Sequence, residues 1–192
     1  HNVWLIPGSM FEQTPEGPIY NTSVVIAPDG SIVKTYRKMF PFRPYEVDVE
    51  AGTEFCIFDV PEVGRFGLSI CYDVRFAHLY RRLAKAGAEI LLVPAAFSPV
   101  TGEAHWEPLL RARAIENGCF VLAAAQTGSH PIRTGKPRVT HGHSMVIGPW
   151  GNVMVDAGTE TGIVYADIDL GEVARARGRV PSLTHDRPFE GP

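Results

Sequence analysis

Cys71 has the sequence surroundings of a reactive thiol. It follows the apolar segment Phe66 to Ile70, which predicts a strand, and it precedes a helix that we expect to begin near Asp73. Free backbone N–H groups and the positive dipole end at a helix N-terminus favour a thiolate over a thiol. The same N–H groups can stabilise the oxyanion that forms when sulfur attacks a carbonyl or nitrile carbon. The alternative is a buried structural cysteine, which is how we interpret Cys119 inside its own apolar strand.

A cysteine nucleophile needs a base and usually a positive group nearby. Lys38 follows a predicted strand and has aromatic neighbours, although a lysine in such a position is usually a surface residue with a buried stem. Glu46, taken alone, is only a loop carboxylate. His141 and His143 alternate on one predicted strand, but no third and fourth ligand with zinc spacing accompanies them. The sequence therefore predicts no metal site.

Many short strands and a few helices must position these side chains. Strands at 20–26 and 32–37 flank a turn-forming link and predict a hairpin. Further strands are predicted at 3–6, 56–60, 65–70, 89–93, 120–125, 141–147, 152–155 and 163–169. One helix is predicted to begin at 76, and two others cover about 104–117 and 170–177. Residues 38–54 are predicted to form an ordered loop. Because strands outnumber helices and the helices follow strands, we predict a layered α/β domain with helices on the outer face.

Composition and charge exclude several classes of function. The 192 residues, 45% hydrophobic and 20% charged, are typical of one folded domain. The formal net charge is −3 and there is no basic block, so we expect neither a nucleic-acid partner nor a membrane partner. No apolar run is long enough to span a bilayer, and no signal-peptide pattern begins the chain. Three widely spaced cysteines predict reduced thiols and a cytoplasmic protein.

Several segments resemble the carbon–nitrogen hydrolase (nitrilase) superfamily, and they occur in the order found in that family. Those around the candidate residues are Tyr36-Arg37-Lys38, Pro44-Tyr45-Glu46 with Gly52, and Gly67 to Phe76. The others are Gly87 to Leu91, Ala104-His105-Trp106, Arg111 to Asn117, Gly142-His143-Ser144 and Pro149-Trp150-Gly151. Nearly the whole chain is covered. The segment Cys71 to Phe76 is similar to the branch that cleaves ω-amides of dicarboxylates, including deaminated glutathione.

The resemblance implies a four-layer αββα sandwich and a Glu-Lys-Cys catalytic set. Cys71 is then the nucleophile that forms a thioester or thioimidate. Lys38 is the protonated lysine that supports the tetrahedral intermediate, together with the backbone N–H of Tyr72. Glu46 orients the lysine and helps to position the substrate. Arg75 is expected to hold a substrate carboxylate bidentately, the alternative being a solvated residue in the first helical turn.

The chain also departs from the family pattern. The general-base glutamate of the family lies upstream of the strand that opens this chain, and neither Glu12 nor Glu16 matches it. We therefore expect residues 1–192 to form a single domain that lacks the first strand–helix segment of the family. Ala77-His78 stands where Pro-Glu is common in the ω-amidase branch, and His141 stands where Tyr is common. These differences leave the identity of the substrate open.

The leading hypothesis is a thiol-dependent amidohydrolase that acts on a linear, carboxylate-bearing amide and releases ammonia. Two alternatives stay open, namely a nitrilase, suggested by the segment 43–46, and a catalytically inactive chain that lacks the base. None of these three hypotheses implies a cofactor or a metal. If the hypothesis is right, Lys38, Glu46 and Cys71 must converge at one end of the sheets, because their side chains act around one carbonyl group.

The resemblance further implies a homodimer or a higher homo-oligomer. Family members associate through helices beside the active site, which correspond here to 75–86 and 104–117. The C-terminal stretch from Arg177 to Pro188 has little core character. We therefore expect this stretch to pack on a partner subunit rather than to fold back on its own chain.

Overall fold

The computed structural model describes residues 1–132 and 135–191. Its strands are β1 (Ser9–Gln13), β2 (Ile19–Ile26), β3 (Ile32–Arg37), β4 (Val49–Glu50), β5 (Cys56–Val60), β6 (Gly64–Leu68), β7 (Ile90–Leu92), β8 (Phe120–Ala123), β9 (Thr127–His130), β10 (Arg138–His141), β11 (Met145–Ile147) and β12 (Val153–Asp156). Its α-helices are α1 (Ala77–Lys85), α2 (Pro99–Asn117) and α3 (Gly171–Arg179), and short 3-10 helices cover Cys71–Arg75 and Ser182–Thr184.

The strands form two main sheets and one small ribbon. The smaller main sheet has the antiparallel order β1-β2-β3, and β4 pairs with β2 in parallel. The larger sheet has the order β12-β11-β8-β7-β6-β5, with β6, β7 and β8 parallel at its centre. Strands β7 and β8 read as continuous apolar segments because both of their faces are covered. The ribbon pairs β9 with β10.

The core has two parts, one on each face of the larger sheet. Between the sheets, Val25 and Tyr36 of the smaller sheet belong to the same buried cluster as Leu68, Ile90 and Phe120 of the larger one. On the other face, α1 and α2 pack against the larger sheet with the buried side chains Leu79, Leu83, Trp106 and Leu110. Two facing sheets with helices outside confirm the predicted α/β sandwich.

Most predicted elements form, with shifted ends. The hairpin of β2 and β3 lies where it is predicted. Helix α2 begins at Pro99 instead of about 104, because Ser98 caps it by accepting from the Thr101 N–H and proline is well suited to the first helical position. Residues 3–6 contribute only an isolated bridge between Leu5 and Ile26, and the first strand is instead Ser9–Gln13, in a region predicted as turn and loop.

Two expectations about the C-terminal part are wrong. Residues 163–169 form no strand, and Ile163 and Tyr165 are 80% and 85% exposed, so their β-propensity finds no neighbouring strand to pair with. The stretch that follows α3 folds back on its own chain. Leu183 packs against the helix-side core, and Asp186 bonds to Arg81 and Lys85 of α1.

Within the described ranges, no helix combines the length and the apolar character needed to cross a membrane.

Candidate active site

The candidate nucleophile lies on a strained turn just beyond β6. Cys71 begins the short 3-10 helix with a φ of +48°, a left-handed conformation that is uncommon for a residue with a side chain. Its N–H donates to the carbonyl of Pro94 at 2.9 Å, which ties the turn to the segment that follows β7. The side chain is half-buried. A strained strand-to-helix turn is a known way to project a nucleophile from the edge of a sheet.

Two sets of groups act on the Cys71 thiol in opposite directions. Burial raises its pKa above the ordinary 9.0, and the negative charge of Glu46 raises it further. A backbone hydrogen bond from Ala96 and the positive charges of Lys38 and Arg138 lower it. Because burial dominates, the pKa of the thiol stays above its ordinary value. The thiol is therefore protonated near neutral pH and must give up its proton as it attacks.

A buried ion pair forms the second part of the site. Lys38 and Glu46 are 2% and 7% exposed, and the lysine Nζ donates to Glu46 Oε2 at 2.6 Å. Asn21 Nδ2 donates to the other carboxylate oxygen at 2.6 Å, and the Phe42 N–H donates to Oε2. Three donors therefore hold the carboxylate in one orientation, and the carboxylate in turn orients the lysine.

The backbone of the lysine is held from both sides. Its N–H donates to the carbonyl of Asn21 at 2.8 Å, and its carbonyl accepts from the Gly52 N–H at 2.8 Å. A β-carbon at position 52 would lie 2.1 Å from the carbonyl oxygen of Arg37. Only glycine allows this close approach, which explains the glycine in the family-like segment.

The environment of Glu46 predicts a loss of stability in acid. Burial raises its pKa, but the hydrogen bonds from Lys38, Asn21 and Phe42 outweigh burial and hold the pKa below the ordinary 4.5. Because the folded-state pKa is the lower one, the stabilisation is fully present above about pH 4.5 and is lost as the pH falls through the folded-state value. We expect Glu46→Gln to flatten the fall in the free energy of unfolding between pH 5 and pH 3, measured by urea denaturation at each pH.

Glu12→Gln is the matched control for this measurement. The pKa of Glu12 is also lowered, chiefly by the hydrogen bond from Arg37, but the pair is about one third exposed. Because solvent screens such a pair, Glu12→Gln is expected to change the pH dependence less than Glu46→Gln. Equal slopes for the wild type and Glu46→Gln would contradict the assignment.

Aromatic side chains and a guanidinium form the wall beside the nucleophile. The Tyr72 ring lies 4.8 Å from that of Phe42 and 5.3 Å from that of Phe76. Arg75 is centred 5.4 Å from the ring of Phe97, and its guanidinium nitrogens lie 3.3 and 3.4 Å from Nδ1 of His105. The wall therefore offers apolar faces and the partly exposed guanidinium of Arg75 to a small substrate.

The structure places the predicted site residues in one region. Lys38 and Glu46 bond directly, and the charges of both act on the Cys71 thiol. Tyr72 and Arg75 lie on the same 3-10 helix as the cysteine. Glu12, to which the sequence assigns no role, accepts hydrogen bonds from Arg37 and Thr22 through its carboxylate.

The two histidines considered as metal ligands, His141 and His143, contact each other, and His143 also contacts a carboxylate. His141 stacks on His143, with ring centroids 4.6 Å apart, and His143 Nδ1 lies 3.0 Å from both carboxylate oxygens of Asp156. In the part of the chain that the structure covers, no group of three or more His, Cys, Asp or Glu side chains is arranged to hold a metal ion.

Sequence reasoning missed three residues at this site. Asn21 holds Glu46, Arg138 acts on the thiol and donates to the carbonyl of Ala96 at 2.9 Å, and Asp73 lies buried beside the nucleophile. Asn21 and Arg138 carry no local signal, because their partners are distant along the chain. Asp73 does carry one, since it is an acidic residue in the first turn after a candidate nucleophile.

Comparison with known proteins identifies the family. The sequence profile described as "Carbon-nitrogen hydrolase" matches residues 1–178. A deaminated glutathione amidase from Dictyostelium discoideum is 44% identical over 97% of this chain and 67% of its own length. A human omega-amidase is 41% identical over 97% of this chain and 68% of its own length. The chain thus spans about two thirds of the length of these relatives.

Solved structures agree with the fold. The crystal structure of the C. elegans NitFhit protein has a TM-score of 0.87 and 43% identity, covering 97% of this chain and 47% of that one. An amidase from Nesterenkonia sp. AN1, solved with an acetamide moiety added covalently at its active-site cysteine, has a TM-score of 0.79 and 27% identity. It covers 97% of this chain and 65% of that one.

Proposed function

Because the chain belongs to the carbon–nitrogen hydrolase family, we propose that Cys71, Lys38 and Glu46 form an amidohydrolase site. The site would cleave the C–N bond of a linear amide that carries a free carboxylate, and it would release ammonia. The observation that carries the proposal is the buried Lys38–Glu46 pair, whose charges act on a cysteine held at a strained turn. The Nesterenkonia amidase, whose active-site cysteine carries the acetamide moiety of fluoroacetamide, supports a nucleophilic role for Cys71.

The reaction proceeds in two halves. The Cys71 sulfur attacks the amide carbon, a C–S bond forms, and the thiol proton passes to the leaving nitrogen as the C–N bond breaks and ammonia departs. Water then adds to the thioester, giving a carboxylic acid and returning a proton to sulfur. The ammonium group of Lys38 and the N–H of Tyr72 stabilise the negative oxygen in both tetrahedral intermediates.

Glu46 acts by orientation in this scheme and not as the proton carrier. Its carboxylate already accepts from Lys38, Asn21 and the Phe42 N–H, and its pKa is held below the ordinary value. A general base works best when its pKa lies near the operating pH, so Glu46 is poorly suited to carry the proton. Among the described residues, no other carboxylate forms an ion pair with Lys38.

With Glu46 poorly suited to carry the proton and no other carboxylate paired with Lys38 among the described residues, a second candidate function is favoured. It is a chain that acylates at Cys71 and turns over very slowly. Incubation with a dicarboxylate monoamide separates the two. Sustained ammonia release is expected from a hydrolase, whereas one equivalent of ammonia with a persistent adduct in the intact mass is expected from the slow chain. A faster reaction with the matching nitrile would instead favour a nitrilase. If none of these substrates yields either an adduct or ammonia, the proposal is overturned.

Arg75 is expected to select substrates with a carboxylate. Truncating it in Arg75→Ala removes a bidentate partner worth about 1.5–3 kcal/mol, which corresponds to a roughly 10- to 100-fold weaker binding. The measurement is calorimetric titration of a C5 dicarboxylate into the full chain, which needs no turnover. Arg75→Lys is the control, because it keeps the charge but loses the fork and should fall in between. Unchanged binding in Arg75→Ala would contradict the role.

We also propose a homo-oligomer that works in the cytoplasm. The outer side of α2 and the loop after β11 carry the exposed apolar side chains Val100, Ile115 and Trp150, which are 80%, 54% and 57% exposed. A second copy of the chain is a suitable partner for such a surface. The free thiols of all three cysteines fit a reducing compartment.

The association has a direct test. Ile115→Asp is expected to shift the mass measured by light scattering toward that of the monomer, because a charge replaces an apolar contact. Val63→Asp, at a position that is 49% exposed on the far edge beside β6, is the matched control and should leave the mass unchanged. A wild-type chain that is monomeric at high concentration would contradict the proposal.

A further inference from the structure

A buried carboxylate lies between the two halves of the site. Asp73 is 0% exposed, and each of its side-chain oxygens accepts hydrogen bonds. Oδ2 accepts from the Tyr36 hydroxyl at 2.7 Å and from the Ile70 N–H at 2.8 Å, and Oδ1 accepts from the Phe40 N–H at 3.1 Å. One carboxylate thus connects two segments of the chain, the one around Lys38 and the turn that carries Cys71.

The positions of these donors matter more than their number. Tyr36 and Phe40 flank Lys38, two residues before it and two after it, and Ile70 directly precedes Cys71. Resting on the proposed function of the site, we propose that Asp73 is a positioning residue that holds the strand end carrying Lys38 in register with the turn carrying Cys71. It touches no substrate and acts only through these two residues.

The three partners explain why a carboxylate is needed. All of them donate, and an ionised carboxylate is an acceptor only. An asparagine can turn its amide oxygen toward either Ile70 or Phe40, but its NH₂ group then faces the other backbone N–H. One buried backbone donor is left unpaired in both orientations, and such a group is costly to leave unpaired. Substituting Asp73 therefore loosens at least one of the two connections.

The charged and titratable groups around Asp73 fit this assignment. Burial is the largest influence on its pKa and outweighs the opposing hydrogen bonds from Tyr36, Ile70 and Phe40 and the charge of Lys38, so the pKa is raised to about 6. The charge of Asp73 also raises the pKa of the Tyr80 hydroxyl. Around neutral pH the carboxylate is ionised, so all three donors find an acceptor.

The alkylation of Cys71 by iodoacetamide tests the proposal, because it reports the fraction of thiolate and needs no amide hydrolysis. The rate is measured against pH on the full chain, with the modified peptide identified by mass spectrometry. Lys38 lowers the pKa of the thiol, so a displaced lysine shifts the pH midpoint of alkylation upward. We expect Asp73→Asn to shift it by about one pH unit, with a roughly tenfold slower reaction below the midpoint.

The sign of the shift excludes a purely electrostatic role. If Asp73 acted only as a nearby negative charge, its neutralisation would favour the thiolate and the midpoint would move down. Tyr36→Phe keeps the charge and both backbone bonds but loses one connection to the lysine segment, and we expect a smaller upward shift. If thermal unfolding shows that Asp73→Asn does not fold, Tyr36→Phe alone tests the positioning role.

Tyr80→Phe is the matched control. The Tyr80 hydroxyl is also buried, but it bonds to Ser69 Oγ at 2.6 Å, whereas the Tyr36 hydroxyl bonds to Asp73. It should leave the midpoint unchanged. A downward shift in Asp73→Asn, no shift in Tyr36→Phe, or an equal shift in Tyr80→Phe would overturn the positioning role. A shifted midpoint in a chain that forms neither an adduct nor ammonia with the amide would keep the positioning role and reject the proposed function.

Discussion

Replacing Cys71 with alanine is expected to abolish both the covalent adduct and the catalysed release of ammonia. The sulfur forms the bond to the substrate carbon, and no neighbouring group takes over that step, so the rate should fall on the order of 10⁴-fold or more. Stability should change little, because the side chain is half-buried and alanine keeps the same backbone conformation. Intact mass spectrometry and an ammonia assay with a dicarboxylate monoamide provide the two readouts.

The other cysteines are the controls for this prediction. The Cys119 thiol is fully buried, its pKa is raised to about 11 by burial, and it donates to the carbonyl of Ala88 at 3.2 Å. Burial also raises the pKa of Cys56. Cys56→Ala and Cys119→Ala should therefore both keep the adduct. An adduct that persists in Cys71→Ala would show that the nucleophile is another residue.

The second large effect is expected from Lys38→Met. Methionine keeps much of the apolar volume but leaves Glu46 buried without its cation, a loss that costs about 3–5 kcal/mol in buried pairs. Catalysis should be lost as well, because the positive charge that stabilises the oxyanion is gone. Urea denaturation at pH 7 measures the first effect, and the rate of adduct formation measures the second.

A double variant separates the charge from the packing. Lys38→Met combined with Glu46→Gln removes both charges, so no unpaired buried charge remains. We expect it to recover most of the stability lost in Lys38→Met while it stays inactive. If the two substitutions instead add up to a larger loss of stability, packing and not the unpaired charge dominates the energetics of this pair.

Local patterns predict elements whose side chains face a core. The hairpin of β2 and β3 and the helix α1 follow from turn residues and helical spacing, and both form. Strand β1 gave no such signal, because four of its five residues are exposed and it pairs with β2 along one edge. The predicted strand at 163–169 fails for the opposite reason, since its residues have the right type but pair with no strand in the part of the chain that the structure describes.

The site residues also divide into those that local sequence identifies and those that depend on distant contacts. Cys71 is identified by its own position, between a strand and a helical turn. Lys38 and Glu46 gain their meaning only from resemblance to a family, because each taken alone is an ordinary surface residue type. Their burial, and the hydrogen bond from Asn21, depend on contacts between segments far apart in the chain. No sequence period reports such contacts.

The left-handed backbone at Cys71 sets function against stability at a single position. A residue with a β-carbon costs about 1–2 kcal/mol in this conformation, a cost from which glycine is free. Selection for a stable fold alone would therefore favour glycine here, and only selection for the chemistry retains cysteine. In a lineage released from that chemistry, this position should drift toward glycine earlier than its buried neighbours, so the residue found at this turn records how long catalysis has been under selection.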